Sequence, residues 1–331
     1  MKRWSLILAV ILILTTVLTA CGGKQEAQTE KIRLALILPS TIDDMAWSQS
    51  MYEGVMAVQK TMGEDKMEVA VSERLGNPVD AGAAIRQYAD QGYNIIIAHG
   101  SQYQNVLEEI APDYPDVSFA YGTGYEAHDN IFAYDPQAQE GAYLQGMIAG
   151  MMTKSNIIGV VGPVEAGDAI KYNYGFQQGV EAVNPDAEVR IAYTGSFGDI
   201  AKAAELAKAH MDAGADFLTG TAQQVVGAIN AAKEHGGVYW LSNDMDQSSL
   251  APETVLSAQV YHWEKVVQQI IDAHQKGEGG KHIVLSFANG ALELVYNPKL
   301  ENQIPQEVKD AVEAAKQKII DGSLTVKLPE N

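Results

Sequence analysis

From residue 31 onward the chain alternates, with few breaks, between short β-rich apolar runs and segments whose apolar residues recur every three or four positions. The runs include "IRLALIL", "MEVAVSE", "YNIIIAHG", "VSFAYG", "NIIGVVGP", "AEVRIAYTG", "DFLTGT", "GVYWLSND" and "HIVLSF". Between them stand patterns such as "AWSQSMYEGVMAVQKTMG", "AGAAIRQYADQG" and "DIAKAAELAKAHMDAGA". A strand that is apolar throughout has no face to give to water. Strands of that kind, separated by helices, predict parallel sheets covered on both faces. Gly92, Gly214 and Gly236 stand where helices should end, and Asp80 and Asp199 where helices should begin.

The alternation restarts. One set runs from Lys31 to about Asp135; the Ala/Gly-rich "PQAQEGAYLQGMIAGMMTK" follows, and a second set begins at Ile157. A chain of 331 residues exceeds the usual single core. The expectation is an α/β protein of two doubly wound, Rossmann-like lobes. Further units after "LSND", namely "LSAQVYHWEKVVQQIIDAHQKG", "HIVLSF" and "ALELVY", suit a chain that crosses between lobes more than once. The expected division is 31–135 plus about 248–282 for the first lobe, and 136–247 plus about 283–325 for the second. In open α/β sheets ligands bind outside the carboxyl ends of the strands. In two lobes those ends can face one cleft.

The first residues belong to another kind of element. Lys2 and Arg3 precede the apolar run "WSLILAVILILTTVLTA", then "CGGKQEAQTEK" turns small and polar. The run approaches the length of a membrane span. "LTAC", Leu18 to Cys21, nevertheless resembles a lipobox, in which the Cys is acylated and the chain cut before it. Residues 1–20 are therefore expected to be a lipoprotein signal peptide and 21–30 a flexible tether. Cys21 is the chain's single cysteine, which leaves no disulfide, cysteine zinc site or thiol nucleophile. Acyl chains contribute about 0.8 kcal/mol per buried methylene, so a lipid on Cys21 would hold the protein to the outer side of a membrane. The formal net charge of −19 argues against a nucleic-acid partner, which needs clustered Lys and Arg.

At the expected strand ends, aromatic and polar residues recur together. Asp43, Asp44, Trp47 and Ser48 follow the first strand, and Gly100, Ser101 and Gln102 follow "NIIIAHG". In the second set come Tyr172, Asn173 and Tyr174, then Thr221, then Asp244, Asp246 and Gln247, and finally Tyr261 and Trp263. Flat aromatics with carboxylates, amides and hydroxyls can sandwich a planar ring and satisfy its edge donors. Each also has a plainer reading. Trp47 can pack in a core, Asp43 and Asp44 can favour a helix N-terminus, Tyr172 and Tyr174 can pack between elements, and Asp244 and Asp246 can hold a turn.

Catalytic patterns are weak. "GTGYEA" matches a dinucleotide fingerprint in form, but no helix follows to meet a pyrophosphate. "TGSFG" lacks the first Gly of a nucleophile elbow. The seven His residues show no metal-ligand spacing, and adjacent carboxylates splay apart rather than flank one bond. Nothing calls for a cofactor, a metal or a reaction.

The segments "DDMAWSQSMYEGV", "GYNIIIAHGSQY", "EGAYLQGMIAGMMTK", "LSNDMDQSSLAP" and, above all, the long block from Gly175 to Ala203 resemble the basic membrane protein family. These are substrate-binding lipoproteins of ABC transporters, with members that bind purine nucleosides, and the likeness runs from about 31 to 300. It implies a type I periplasmic-binding-protein fold with three crossovers, a purine-like ligand between the lobes, and permease and ATPase partners. By the same resemblance Trp47 and Tyr172 would stack on the ligand, and Asp44, Gly100, Ser101, Asp244, Asp246 and Gln247 would reach it, while Ser48, Gln102, Asn173, Thr221, Tyr261 and Trp263 are candidates from their places at the strand ends. One departure stands out. Where nucleoside-binding members carry a Lys, this sequence reads "SAQVYHWEK", with Tyr261 near that place and Trp263 two further on. A free base, a nucleoside or another small cyclic polar solute all remain open. So does a second use of the fold, a surface sensory receptor for another small polar solute such as a sugar.

Overall fold

The apolar runs become strands because both faces of each have a covering layer. Along the first, Ile32, Leu34 and Leu36 enter one buried cluster while Ala35 and Ile37 enter another. Ile95 and Ile97 divide from Ile96 and Ala98 in the same way. That is period-two alternation serving a sheet with helices on each side. The computed structural model describes residues 31–328; the expected signal peptide and the whole expected tether, Cys21 included, lie outside the described residues.

The first five strands are β1 (Ile32–Ile37), β2 (Met67–Ser72), β3 (Ile95–Ala98), β4 (Ser118–Gly122) and β5 (Ile131–Pro136). Among them run α1 (Trp47–Met62), α2 (Pro78–Asp90) and α3 (Gln104–Ile110). Helix α4 (Ala138–Met152) then leads to β6 (Ile157–Gly162), α5 (Asp168–Val183), β7 (Glu188–Tyr193), α6 (Ile200–Asp212), β8 (Phe217–Gly220), α7 (Val225–His235), β9 (Tyr239–Ser242) and β10 (Val255–Tyr261). The chain ends with α8 (Trp263–Gln275), β11 (His282–Leu285), β12 (Leu292–Tyr296) and α9 (Gln306–Ile320).

One six-stranded sheet has the order β11-β5-β4-β3-β1-β2 and the other β12-β10-β9-β8-β6-β7. The two are the same arrangement used twice, parallel throughout except that β12 runs antiparallel to β10. The chain passes to the second lobe after β5, returns between β10 and α8, and crosses again after β11. Those are the three crossovers of the type I fold. The expected lobe boundaries need correction: β10 lies in the second sheet and β11 in the first. The chain changes lobe at His262, where α8 leaves to pack on α1, so residues 248–261 belong with the second lobe. Strand β5 was not among the expected strands either. It follows β4 through residues 123–130 without an intervening helix.

Local signals worked as expected at several ends. Asp199 accepts from Lys202 N at 2.9 Å and caps α6. Gly92 and Gly214 adopt φ of +79° and +96° just past their helices, a conformation that costs a Cβ-bearing residue dearly. Asp80 instead lies in the first turn of α2; the cap is Asn77, which accepts from Val79 N at 2.8 Å ahead of Pro78.

Helices α4 and α5 touch backbone to backbone. A Cβ on Gly175 would lie 2.3 Å from the Gln139 carbonyl oxygen, one on Gly179 2.0 Å from that of Tyr143, and one on Gly146 2.2 Å from that of Phe176. The glycines of "EGAYLQGMIAG" and "GFQQG" thus weld the helix after the first crossover to the helix that begins at Asp168.

Candidate functional site

In each sheet the strand order reverses at one point, between β1 and β3 and between β6 and β8. At such switch points the loops beyond the strands diverge and leave a crevice. A cavity of about 560 Å³ lies where those loops of both lobes meet. The first lobe contributes Pro39, Trp47, Gly76, Gly100, Ser101, Gln102 and Thr123. From the second come Ala166 to Ala169 ahead of and into α5, Ser196 to Gly198 after β7, Thr221 to Gln223 after β8, and Asn243 with Asp244 after β9. Two carboxylates, Asp168 and Asp244, are in this wall; no lysine or arginine is among the described residues that line it.

Trp47 is held by reciprocal hydrogen bonds. Its indole Nε1 donates to the His99 carbonyl at 3.1 Å, and His99 Nε2 donates to the Trp47 carbonyl at 3.0 Å. A carbonyl can only accept, so the His99 proton sits on Nε2, and Nδ1 accepts from the Tyr134 hydroxyl at 2.7 Å. The imidazole stacks on the indole with centroids 4.1 Å apart and planes 11° apart, while Trp263 meets the indole edge-on at 5.3 Å. One face of Trp47 is therefore covered by His99, and the half-buried indole gives remaining surface to the cavity.

Burial pushes His99 down to about 3, so the folded protein keeps it neutral. The unfolded chain binds a proton near 6.5, hence this residue's contribution to stability falls as pH drops below that value. The loss amounts to about 2 kcal/mol by pH 5. His99→Gln should therefore lose about 2 kcal/mol less than wild type between pH 8 and pH 5 in chemical denaturation. Equal losses in the two proteins would rule out a buried neutral imidazole.

The second-lobe carboxylates sit in tight surroundings. Burial raises Asp244 well above the usual carboxylate range, with Asp168 and then Asp44 adding to the effect. Its Oδ1 accepts from Asn243 Nδ2 at 2.8 Å. Three non-glycine residues of the wall have left-handed backbone: Thr123 (φ 54°), Ala222 (φ 67°) and Asp244 (φ 74°). For a β-branched residue such as Thr123 that is a strained conformation, of order 1–3 kcal/mol, and strain of this kind collects at binding sites.

Of the residues expected at the site, Trp47, Gly100, Ser101, Gln102, Thr221 and Asp244 are brought together around the cavity. The others do not line it. Asp44 accepts from the backbone N–H groups of Ala46, Ser48 and Gln49 at 3.0–3.1 Å and so closes the first turn of α1. Buried Ser48 accepts from Ser40 N. Tyr172 is fully buried, its hydroxyl 2.6 Å from both Gln145 Oε1 and Thr219 Oγ1, and its ring lies parallel to Phe176 rather than in the cavity. Asn173 donates to the Tyr193 hydroxyl. Asp246 accepts from Ser248 N and Oγ and holds a turn. Tyr261 and Trp263 pack edge-on in the core, with Trp263 Nε1 donating to Ser50 Oγ at 2.9 Å. Gln247 donates to the Met45 carbonyl at 2.7 Å, tying the loop after β9 to the loop that leads into α1.

Sequence reasoning missed Asp168, Phe197 and His99. Phe197 is about half exposed although aromatic, and it sits at a strand end within "TGSFG". His99 ends an expected strand, next to Gly100.

Comparison with known proteins agrees with this architecture. A purine-binding protein of Brucella abortus (strain 2308) is 31% identical over 242 residues, which covers 73% of this chain and 68% of that protein. Basic membrane protein A of Borreliella burgdorferi is 29% identical over 329 residues, covering 97% and 95%. The crystal structure of an ABC-transporter solute-binding protein from Aeropyrum pernix K1 has a TM-score of 0.80 at 21% identity, over 91% of this chain and 94% of that one, a likeness of fold. A family model described as "ABC transporter substrate-binding protein PnrA-like" matches residues 31–329, and the chain belongs to that family.

Proposed function

We propose that the cleft takes a flat nitrogen heterocycle, a purine base or nucleoside, between Trp47 of the first lobe and Phe197 of the second. Proteins of this family bind a small solute for an ABC transporter, with a permease and an ATPase as partners, and are not enzymes. The observation that carries the ligand reading is the composition of the cavity wall. An aromatic ring comes from each lobe, two carboxylates lie beside them, and no cation is among the described lining residues. Aromatic faces favour a planar ring, and carboxylates favour its ring and exocyclic N–H donors over phosphate. The relative from Brucella abortus, named for purine binding, supports the same ligand class. Contacts from both lobes would favour the closed form, so that ligand shifts the population toward it. A lipid on Cys21 would keep the protein at the outer face of the membrane that holds its partners.

Titration with adenine, hypoxanthine, guanosine and adenosine, followed by tryptophan fluorescence, tests this. Mass spectrometry of whatever copurifies accompanies it. A saturable change with at least one purine and a copurifying mass in the purine range are the expected results. No response to any of the four, with a sugar recovered from the protein, would overturn the reading.

A further inference from the structure

Asp168 begins α5 and lines the cavity, with only 12% of its side chain exposed. Its Oδ1 lies 2.8 Å from Lys171 Nζ, while its buried Oδ2 has no hydrogen-bond partner among the described residues. The hydroxyl of Thr221, on the same wall, is also buried without a partner among them. Lys171 does not face the cavity alone with Asp168. It also pairs with Asp135 on β5 and donates to the Pro136 carbonyl at 2.7 Å, so that a single ammonium joins the second lobe to the end of the first sheet. Asp135 itself is not among the cavity residues.

We propose that Asp168, together with Thr221, receives hydrogen-bond donors from the ligand, and that Lys171 positions Asp168 by anchoring it to Asp135 across the lobes. The choice of a purine as donor rests on the reading above; the assignment of Asp168 does not. A carboxylate taken out of water and given one cation still has unmet acceptor capacity, and the most economical partner is a donor that arrives with the ligand. Burial pushes Asp168 up to about 6, with Lys171 opposing and Asp135 adding to the rise. A neutral or cationic ligand rich in N–H or O–H groups meets that wall well. An anionic one meets the Asp168 carboxylate as a like charge.

Calorimetric titration of wild type, Asp168→Asn and Asp135→Asn with adenine, guanosine, glucose and AMP decides the matter, with thermal unfolding as the check on folding. Wild type should bind one of the three neutral probes most tightly and AMP far more weakly. Asp168→Asn should weaken the tightest neutral probe about tenfold or more and narrow its advantage over AMP. Asp135→Asn, which leaves the cavity wall intact, should weaken it by clearly less. Equal affinity of Asp168→Asn and wild type would overturn the assignment, as would AMP proving the tightest probe. Asp135→Asn matching Asp168→Asn would overturn it too, because Asp168 would then act only through the ion pair. If glucose rather than a purine binds tightest, the purine reading falls, and the effect of Asp168→Asn on glucose still decides the role of Asp168.

Discussion

Gly179→Ala should destabilise the protein by about 2 kcal/mol and Gly179→Val by about 3 kcal/mol or more, although alanine is the better helix former. In an ordinary exposed helix the exchange to alanine stabilises by about 1 kcal/mol. Here the new methyl would stand 2.0 Å from the Tyr143 carbonyl oxygen and 3.0 Å from Tyr143 Cα, atoms that cannot rotate out of the way. The helices would have to separate, and Gly146 and Gly175 would lose their backbone contacts at the same time. Urea denaturation gives the sign directly, because propensity and packing predict opposite shifts of the midpoint. A midpoint for Gly179→Ala equal to or above wild type would mean that α4 and α5 are not in backbone contact. Since α5 also carries Asp168 into the cavity, Gly179→Val should weaken ligand binding even where folded protein is recovered.

Trp47→Ala should weaken purine binding by about 1–3 kcal/mol, or roughly ten- to a hundredfold, the range found when an aromatic platform under a base is removed. The indole has His99 on one face and the edge of Trp263 beside it, so it is already flat, fixed and partly desolvated before a ligand arrives. The His99 Nε2 bond goes to a backbone carbonyl and survives the substitution, which limits damage to the fold. Trp47→Phe keeps a flat surface and loses the Nε1 bond, and should stay within about threefold of wild type. These variants lose the one tryptophan among the described residues that lines the cavity, so calorimetry is the appropriate measurement. Wild-type affinity in Trp47→Ala would make the indole a packing residue alone.

The fold was largely legible because its strands are apolar on both faces and its helices are amphipathic, which leaves little choice of layer. The assignment of late strands was not. β10, β11 and β12 are short apolar strands that could extend either sheet, and only long-range pairing decides that β11 joins β5 while β12 joins β10. At the site, spacing concealed the roles. Asp44 stands three residues before the first residue of α1, so its carboxylate is consumed by the backbone of that helix turn. Tyr172, Tyr261 and Trp263 present large apolar bodies that the core absorbs, and their polar atoms find partners inside it. Asp168 and Phe197 stand in or next to loops, where no periodicity marks a residue as facing a cavity.

The late arrival of β11 sets the order of assembly. The sheet that opens with Ile32 cannot be finished until residues 282–285 have left the ribosome, and until then the outer edge of β5 has no neighbour. Pairings this distant along the chain slow folding, and they keep the first half from locking into a native unit during synthesis. Until about its last fifty residues are made, the first sheet lacks an edge strand, and the growing chain stays more pliable than the finished protein.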